Sequence, residues 1–238
     1  MKLKRVGKIN LKLSVIIPYF NEEKTIEILI RKVIAGDLAH EIICSDDGST
    51  DSSNMLVFNL KNEFPDLIKI SGSSINKGKG SAVRKGLAIS TGDIILIQDA
   101  DLEYDPSQYS ELLRPFEDDN VKIVYGSRNL NGNPHSSFSF YLGGVILSKI
   151  VNILYDSKIT DESTCFKLFR SEVIKSFDLE CDGFEFCPEV TSKALKRNFK
   201  ITEVPIVYTP RSKSEGKKIK WIDGVIAVYT LLKFRFRK

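Results

Sequence analysis

Between residues 13 and 97 the chain repeats one pattern. Short β-branched apolar runs, LSVIIP (13–18), EIIC (41–44), LIKI (67–70) and DIILI (93–97), alternate with stretches of helical spacing: EEKTIEILIRKVI, DSSNMLVFNLKNEF and GSAVRKGLAIS. Strand, helix, strand, helix predicts a parallel sheet with helices on both faces. Runs that are apolar throughout, such as IILI, fit strands buried on both sides. The fold class is therefore α/β, Rossmann-like. With 238 residues, 42% of them apolar, the chain can bury a substantial core as one domain or a compact two-part unit.

Ligands of open sheets bind beyond the carboxyl ends of the strands. This chain places its unusual polar residues there: PYFNEE after the first strand, SDDGSTDSS after the second and QDADLE after the fourth. A fifth strand, VKIVYGSR (121–128), brings Arg128 to the same edge. The acids of IQDADLEYDP, namely Asp99, Asp101, Glu103 and Asp105, fall at alternate positions. In an extended segment they share one face, roughly 7 Å apart. Neighbouring charges at that spacing repel by about 2 kcal/mol at an effective dielectric of 20, so the segment calls for a metal ion, a basic side chain or water. Asp99 and Asp101 form a DxD pair suited to Mg²⁺ or Mn²⁺, which take one or two carboxylates beside phosphate oxygens. Thr50 or Asp51 is placed to cap the second helix.

INKGKGSAVRKG (75–86), with Lys79, is a Gly-rich turn before a helix and can cradle a phosphate. It matches neither the dinucleotide fingerprint nor the P-loop, and the plain alternative is a lysine-rich turn. His40 and His135 have no metal-ligand spacing, and no GxSxG elbow is present, which argues against serine or cysteine hydrolase chemistry. The four cysteines lack CxxC spacing and read as reduced core residues. The formal net charge of +4 comes without an interleaved aromatic-basic motif, so no nucleic-acid groove is expected. Basic residues gather near the termini and in the loop holding Arg211, Lys213, Lys217 and Lys218. That loop either closes over an anionic substrate or is solvated surface.

Beyond residue 130 the pattern predicts a strand TCFKLF (164–169), a helix FCPEVTSKALKRN (186–198), a strand KITEVPIVY (200–208) and a final helix from Trp221. The apolar segment 138–154 is interrupted by Ser139, Ser148, Lys149 and Asn152 and is not expected to span a membrane. The final helix has an apolar face (Ile222, Val225, Ile226, Tyr229, Leu232 and Phe236) with basic flanks. Packing on the sheet and docking on a membrane surface both explain it, and the flanks favour the membrane. The apolar run at 15–17 is too short for a signal-peptide core, so a cytoplasmic location is expected.

Taken in order, SVIIPYFNEEKTI, EIICSDDGSTDSS, NKGKGSAVRKGLAISTGDIILIQDADLEYDP and YGSRN resemble the family 2 inverting glycosyltransferases of the GT-A fold. Within them the chain is most similar to the dolichyl-phosphate mannose synthase and polyprenyl-phosphate glycosyltransferase branch, over roughly residues 12 to 225. The resemblance implies that Pro18, Phe20, Glu22, Asp46 and Asp47 surround the nucleotide, with Lys79 and Asp99 beside it. It implies that Asp99 and Asp101 hold Mg²⁺ or Mn²⁺ on the donor diphosphate, with Glu103 as a third metal candidate. Arg128 matches the arginine that meets an acceptor phosphate, and Arg211 and Lys217 belong to a loop that closes on the diphosphate. The implied layout is a basic tail (1–11), a GT-A domain (12–220, nucleotide part about 12–128, acceptor side about 129–220) and an amphipathic C-terminal helix (221–238).

The implied reaction moves a hexose from GDP-mannose or a UDP-sugar to a polyprenyl phosphate at the inner membrane face. A lipid phosphate is anionic and needs no general base. A hydroxyl acceptor in glycan synthesis requires one, for which Asp161 in TDEST is the first candidate and Glu162 the second. A non-catalytic nucleotide-sugar binding module is the alternative from another class. STCFKLFR departs from the Gly-containing stretch usual in the synthases, and this bears on the acceptor.

Overall fold

The computed structural model describes residues 11–134, 138–211 and 221–237. Residues 1–10 of the basic tail, together with His135, Lys213, Lys217 and Lys218, lie outside them. The first half alternates as expected: β1 (Leu13–Tyr19), α1 (Ile26–Ala35), β2 (Ala39–Asp47), α2 (Ser53–Glu63), β3 (Ile68–Ser73), α3 (Lys79–Ile89) and β4 (Ile94–Ile97). After two short 3₁₀ turns and α4 (Tyr109–Leu113) come β5 (Ile123–Ser127), α5 (Phe138–Tyr155), β6 (Lys167–Arg170), α6 (Ser171–Lys175), α7 (Phe186–Lys196), β7 (Ile201–Pro205) and α8 (Trp221–Phe236).

The strands form one seven-stranded sheet in the order β3-β2-β1-β4-β6-β5-β7. Every neighbouring pair is parallel except those made by β6, which runs antiparallel between β4 and β5. Strand direction cannot be read from a four-residue apolar run, and the sequence pattern left β6 unassigned in this respect. From β1 the chain builds outward on one side through β2 and β3, and on the other through β4. That reversal opens a crevice at the carboxyl ends of β1 and β4.

Alternate residues of each central strand feed different cores. Val15, Ile17, Ile94 and Leu96 pack with α1 and α2 residues such as Leu29, Ile30, Val57 and Leu60. Ile16, Ile95 and Ile97 pack on the other face with Val83 and Leu87 of α3 and Val190 and Ala194 of α7. Burial on both sides is why these strands carry no polar alternation. The approach of α3 is close: a Cβ at Gly86 would lie 2.6 Å from Ile16 Cγ2. A third cluster joins Leu147 and Val151 of α5, Ile159, and Ala227 and Leu231 of α8.

Two local expectations change. Asp46 and Asp47 are the last residues of β2, in register with Gly72 and Ser73 of β3, rather than part of a following loop. Asp51, not Thr50, serves the start of α2: its Oδ1 accepts the Ser53 N–H at 3.0 Å. Among the described residues no helix is long and apolar enough to cross a membrane.

Candidate active site

The segment after β4 is not extended. Leu102 sits at φ +64°, which turns the chain and sends the four acids to different partners. Asp99 pairs with Lys79 Nζ at 2.5 Å. Asp101 receives Arg211 Nη2 at 3.0 Å. Glu103 accepts Tyr208 O–H at 2.9 Å on one oxygen and the Arg211 backbone N–H at 2.7 Å on the other. Asp105 caps the next turn through the Ser107 N–H and pairs with Lys32. The counter-charges present are therefore basic side chains, and the shared face of four carboxylates is not formed.

Glu103 is thus committed to the segment 208–211, and it does not join Asp99 and Asp101 in a three-acid metal set. Among the described residues no group of three or more His, Cys, Asp or Glu side chains is gathered to hold a metal. Glu22, Asp99, Asp101 and Glu103 share two cations, Lys79 and Arg211, so the acids outnumber the bases around the pair. Burial, then the charges of Asp99 and Glu103, push the Asp101 carboxyl well above its ordinary range, and Arg211 offsets this only in part. A two-carboxylate site relieved by a divalent cation fits that chemistry, since such ions complete their shell with phosphate and water oxygens.

On the nucleotide side, Pro18 is buried in β1 opposite Ser45, and Phe20 is half-buried just past the strand. Glu22 is nearly buried; its N–H donates to Ser53 Oγ, and its Oε2 lies 3.4 Å from Arg211 Nη1. Asp46 accepts from the Ser49 N–H and from Asn54 Nδ2, while Asn54 accepts from Tyr19 O–H. Asp47 takes the N–H groups of Lys77 and Gly78 at 3.0 and 2.7 Å, so it anchors the glycine-rich turn. That turn does not offer its helix start to a phosphate. The N–H groups of Gly80 and Ser81 donate to the carbonyls of Gly183 and Asp182, leaving Lys79 as the group of the motif that faces the acids.

On the far side of the crevice, Arg128 follows β5. Its Nε and Nη2 both donate to Asp161 at 2.7 Å, and its own N–H adds a third bond at 2.9 Å. The guanidinium also lies 5.2 Å from the Tyr208 ring centroid. Burial works to raise the Asp161 carboxyl, but Arg128 outweighs it and holds the group below its ordinary range. Asp161 is therefore the orienting partner of Arg128 and is spent as a proton acceptor. Glu162 is fully buried, held by Thr191 Oγ1 at 3.2 Å, and burial pushes it upward. Neither acid opens onto the crevice as a general base. Two of the five guanidinium N–H donors go to Asp161, which leaves the others available to an anion.

Sequence reasoning missed several supports. Cys165, read as core, is buried and accepts the Asp99 N–H on Sγ at 3.0 Å. Tyr208 bridges Arg128 and Glu103, and Glu203 binds the turn that carries Asp161. The only signal for Glu203 was an acid inside the apolar strand KITEVPIVY.

With this geometry in view, a family model described as glycosyl transferase family 2 matches residues 14–177. The chain belongs to that family. The matched range holds β1 from Ser14 through β6, with Glu22, Asp46, Asp47, Asp99, Asp101, Glu103 and Asp161, while Glu203, Tyr208 and Arg211 lie outside it. Among family relatives, the chain is 29% identical to the dolichol-phosphate mannosyltransferase of Pyrococcus furiosus, over 94% of this chain and 64% of that protein. It is 28% identical to the polyprenol monophosphomannose synthase of Mycolicibacterium smegmatis, over 87% of this chain and 82% of that protein. In structure it is similar to glucosyl-3-phosphoglycerate synthase from Mycobacterium tuberculosis crystallised with UDP, with TM-score 0.75, 19% identity, and coverage of 94% of this chain and 80% of the other. The fold is GT-A.

Proposed function

We propose that the chain transfers a hexose from a nucleoside-diphosphate sugar to a polyprenyl phosphate, with inversion and with Mg²⁺ or Mn²⁺ on the donor diphosphate. The observation that carries this is the crevice itself. A partly buried acid pair after β4, Asp99 and Asp101, and an oriented cation after β5, Arg128, stand past the carboxyl ends of strands of one sheet, while the nearby acids Asp161 and Glu162 are buried and committed to other partners. Two relatives bear names of dolichol- or polyprenol-phosphate mannosyl transfer. The structural neighbour from M. tuberculosis has been crystallised with Mn²⁺ and UDP-glucose.

Asp99 and Asp101 would hold the divalent cation, which neutralises charge as it accumulates on the departing nucleoside diphosphate. Pro18, Phe20, Glu22, Asp46 and Asp47 line the nucleotide side. Lys79 limits repulsion at Asp99. Arg211, already among the acids, and Lys217, six residues on in sequence, would meet the diphosphate. Arg128 binds the acceptor phosphate, whose oxygen is anionic and attacks without losing a proton. Attack from the side opposite the leaving group inverts the anomeric carbon. A sugar-hydroxyl acceptor needs a base, and the commitments of Asp161 and Glu162 count against it.

The long prenyl chain asks for an apolar landing surface. Ile146 and Ile153 of α5 and Trp221, Val225, Tyr229 and Phe236 of α8 are exposed, and this face is proposed to rest on the inner membrane leaflet. The basic flank is partly used at home, since Lys233 and Arg237 both pair with Glu180.

The test is thermal stabilisation by GDP and by UDP, with and without Mn²⁺, together with turnover toward farnesyl phosphate. One nucleotide is expected to stabilise the protein only with Mn²⁺, by about 2.7 kcal/mol at a hundred times its Kd. Asp101→Asn is expected to abolish both the stabilisation and turnover. Metal-dependent binding without transfer to any acceptor would instead support a binding module.

A further inference from the structure

The acceptor-side turn, residues 157–166, has no regular secondary structure, so its backbone N–H groups need partners from elsewhere. Ser157 donates to the Asn152 carbonyl, whereas Ile159, Thr160, Asp161, Glu162 and Cys165 donate to side chains. Asn152 Oδ1 accepts from Ile159, Ser148 Oγ from Glu162 and Tyr104 O–H from Cys165. Glu203 of β7 takes the largest share. Its two oxygens accept the Thr160 N–H at 2.9 and 2.8 Å, the Thr160 hydroxyl at 2.9 Å and the Asp161 N–H at 3.0 Å.

β7 is the last strand of the sheet order, beside β5. An acid on an edge strand ordinarily faces water as protection against edge pairing. This one instead reaches the turn whose next side chain, Asp161, orients Arg128. The same turn is tied to the end of β5 by a 2.6 Å bond between Thr160 and Ser127 hydroxyls and by Asn129 Nδ2 on the Thr160 carbonyl. The arm from β7 is also doubled at Asn133, whose Nδ2 donates to the carbonyls of Arg128 and Ile206.

From this chain of contacts we infer that Glu203 is a positioning residue for acceptor phosphate, acting through Asp161 on Arg128. It fixes the turn, the turn fixes the carboxylate, and the carboxylate fixes the plane of the guanidinium. The inference rests on the assignment of Arg128 to the acceptor proposed above. Glutamine at 203 keeps the size but removes the charge and one acceptor: its NH₂ cannot take the Thr160 N–H that the second oxygen shares, and it meets the Thr160 hydroxyl only if that hydroxyl turns to accept.

The experiment compares wild type, Glu203→Gln, Arg128→Lys and the double variant, using farnesyl phosphate as acceptor and the stabilising nucleotide with Mn²⁺ as donor-site probe. Glu203→Gln is expected to leave nucleotide affinity and donor KM unchanged and to lower kcat/KM for farnesyl phosphate about 10–100-fold, the scale of a small misplacement in a reacting complex. In the Arg128→Lys background the same substitution should cost less than about twofold, because non-additivity marks residues acting through one another. Full additivity, or an equal loss of nucleotide affinity, would overturn the inference. Should Glu203→Gln fail to fold, Thr160→Val, which removes the hydroxyl's bonds to both Glu203 and Ser127, is compared with Ser127→Ala, which spares the bond to Glu203; a larger shift of acceptor KM in Thr160→Val is expected, and an equal one overturns the inference. If wild type does not use farnesyl phosphate, the acceptor assignment fails by itself. The clamp is then read from hydrogen exchange of the Arg128 Nε–H by ¹⁵N NMR, which should quicken in Glu203→Gln and which, unchanged, refutes the clamp.

Discussion

Glu41 in β2 is a buried acid away from the crevice, and it shows what a satisfied carboxylate contributes here. Ser14 Oγ and the Thr91 N–H donate to it at 2.5 and 2.6 Å, and Lys69 lies at 2.5 Å. Burial alone would raise its pKa, but these partners outweigh it and lower the value from 4.5 to about 2. A depressed carboxylate stabilises the fold fully above its unfolded pKa, and that contribution disappears as pH falls through the folded one. The contribution is on the order of 3 kcal/mol at neutral pH. Glu41→Gln should therefore melt well below wild type at pH 7, and the gap should close between pH 4.5 and about 2. A gap that stays constant over that range would refute the account. Asp101 shows the reverse condition: burial first, then the charges of Asp99 and Glu103, push its proton affinity up, and Arg211 offsets this only in part. Asp161 is different again, since a base role would require it to release an arginine it grips with both oxygens.

At the scale of elements, the site depends on how strand ends are finished. β3 ends beside Asp46 only because residue 72 is glycine. Its φ is +142°, and a Cβ there would lie 2.4 Å from the Asp46 carbonyl oxygen and 2.7 Å from its nitrogen. Gly72→Ala is expected to destabilise by about 1–3 kcal/mol and to weaken nucleotide binding, because β2 must move at the residue whose side chain organises Ser49 and Asn54. Urea midpoints with an unchanged slope check the first effect, and nucleotide titration the second. Unaltered binding in a folded variant would separate Asp46 from the nucleotide. The turn at Leu102 is the other case: alternation in QDADLE predicts one charged face, yet a single left-handed residue sends Glu103 to Tyr208 and Arg211. Four residues of apparent strand cannot reveal that turn, because leucine is not a residue whose presence announces positive φ.

At the scale of the whole molecule, α5 and α8 meet through Leu147, Val151, Ala227 and Leu231 and turn other apolar residues outward. Trp221, the one tryptophan, is 78% exposed, and Ile153 is 82% exposed. If this face rests on a bilayer, Trp221 emission should shift to the blue on adding anionic vesicles. The binding should survive moderate salt better than a purely electrostatic contact, since Lys233 and Arg237 are already paired with Glu180. Ile153→Asp with Tyr229→Asp should abolish vesicle binding. Unchanged sedimentation with vesicles would remove the membrane from the proposal. The final-helix pattern was legible as amphipathic, but Ala227 and Leu231, rather than Ile222 and Val225, are the residues that became core.

Local periodicity was enough for the strand and helix alternation, the burial of IILI on both faces, and the delivery of acids to one edge, because burial period and strand length are properties of short windows. The motifs PYFNEE, SDDGST, DAD and GSR marked the crevice for the same reason: each follows a strand whose direction the alternation dictates. The antiparallel insertion of β6, the withdrawal of Glu103 from the acid pair and the capture of Asp161 by Arg128 were decided by tertiary structure. So was the loss of the α3 start to the carbonyls of Gly183 and Asp182. Those outcomes depend on which side chain arrives opposite which. Asp101 meets a guanidinium 110 residues further along the chain, and Arg128 is set by an acid 33 residues away whose turn hangs from a glutamate on the edge strand. No window of sequence contains both ends of such a contact, and only the packed sheet brings them together.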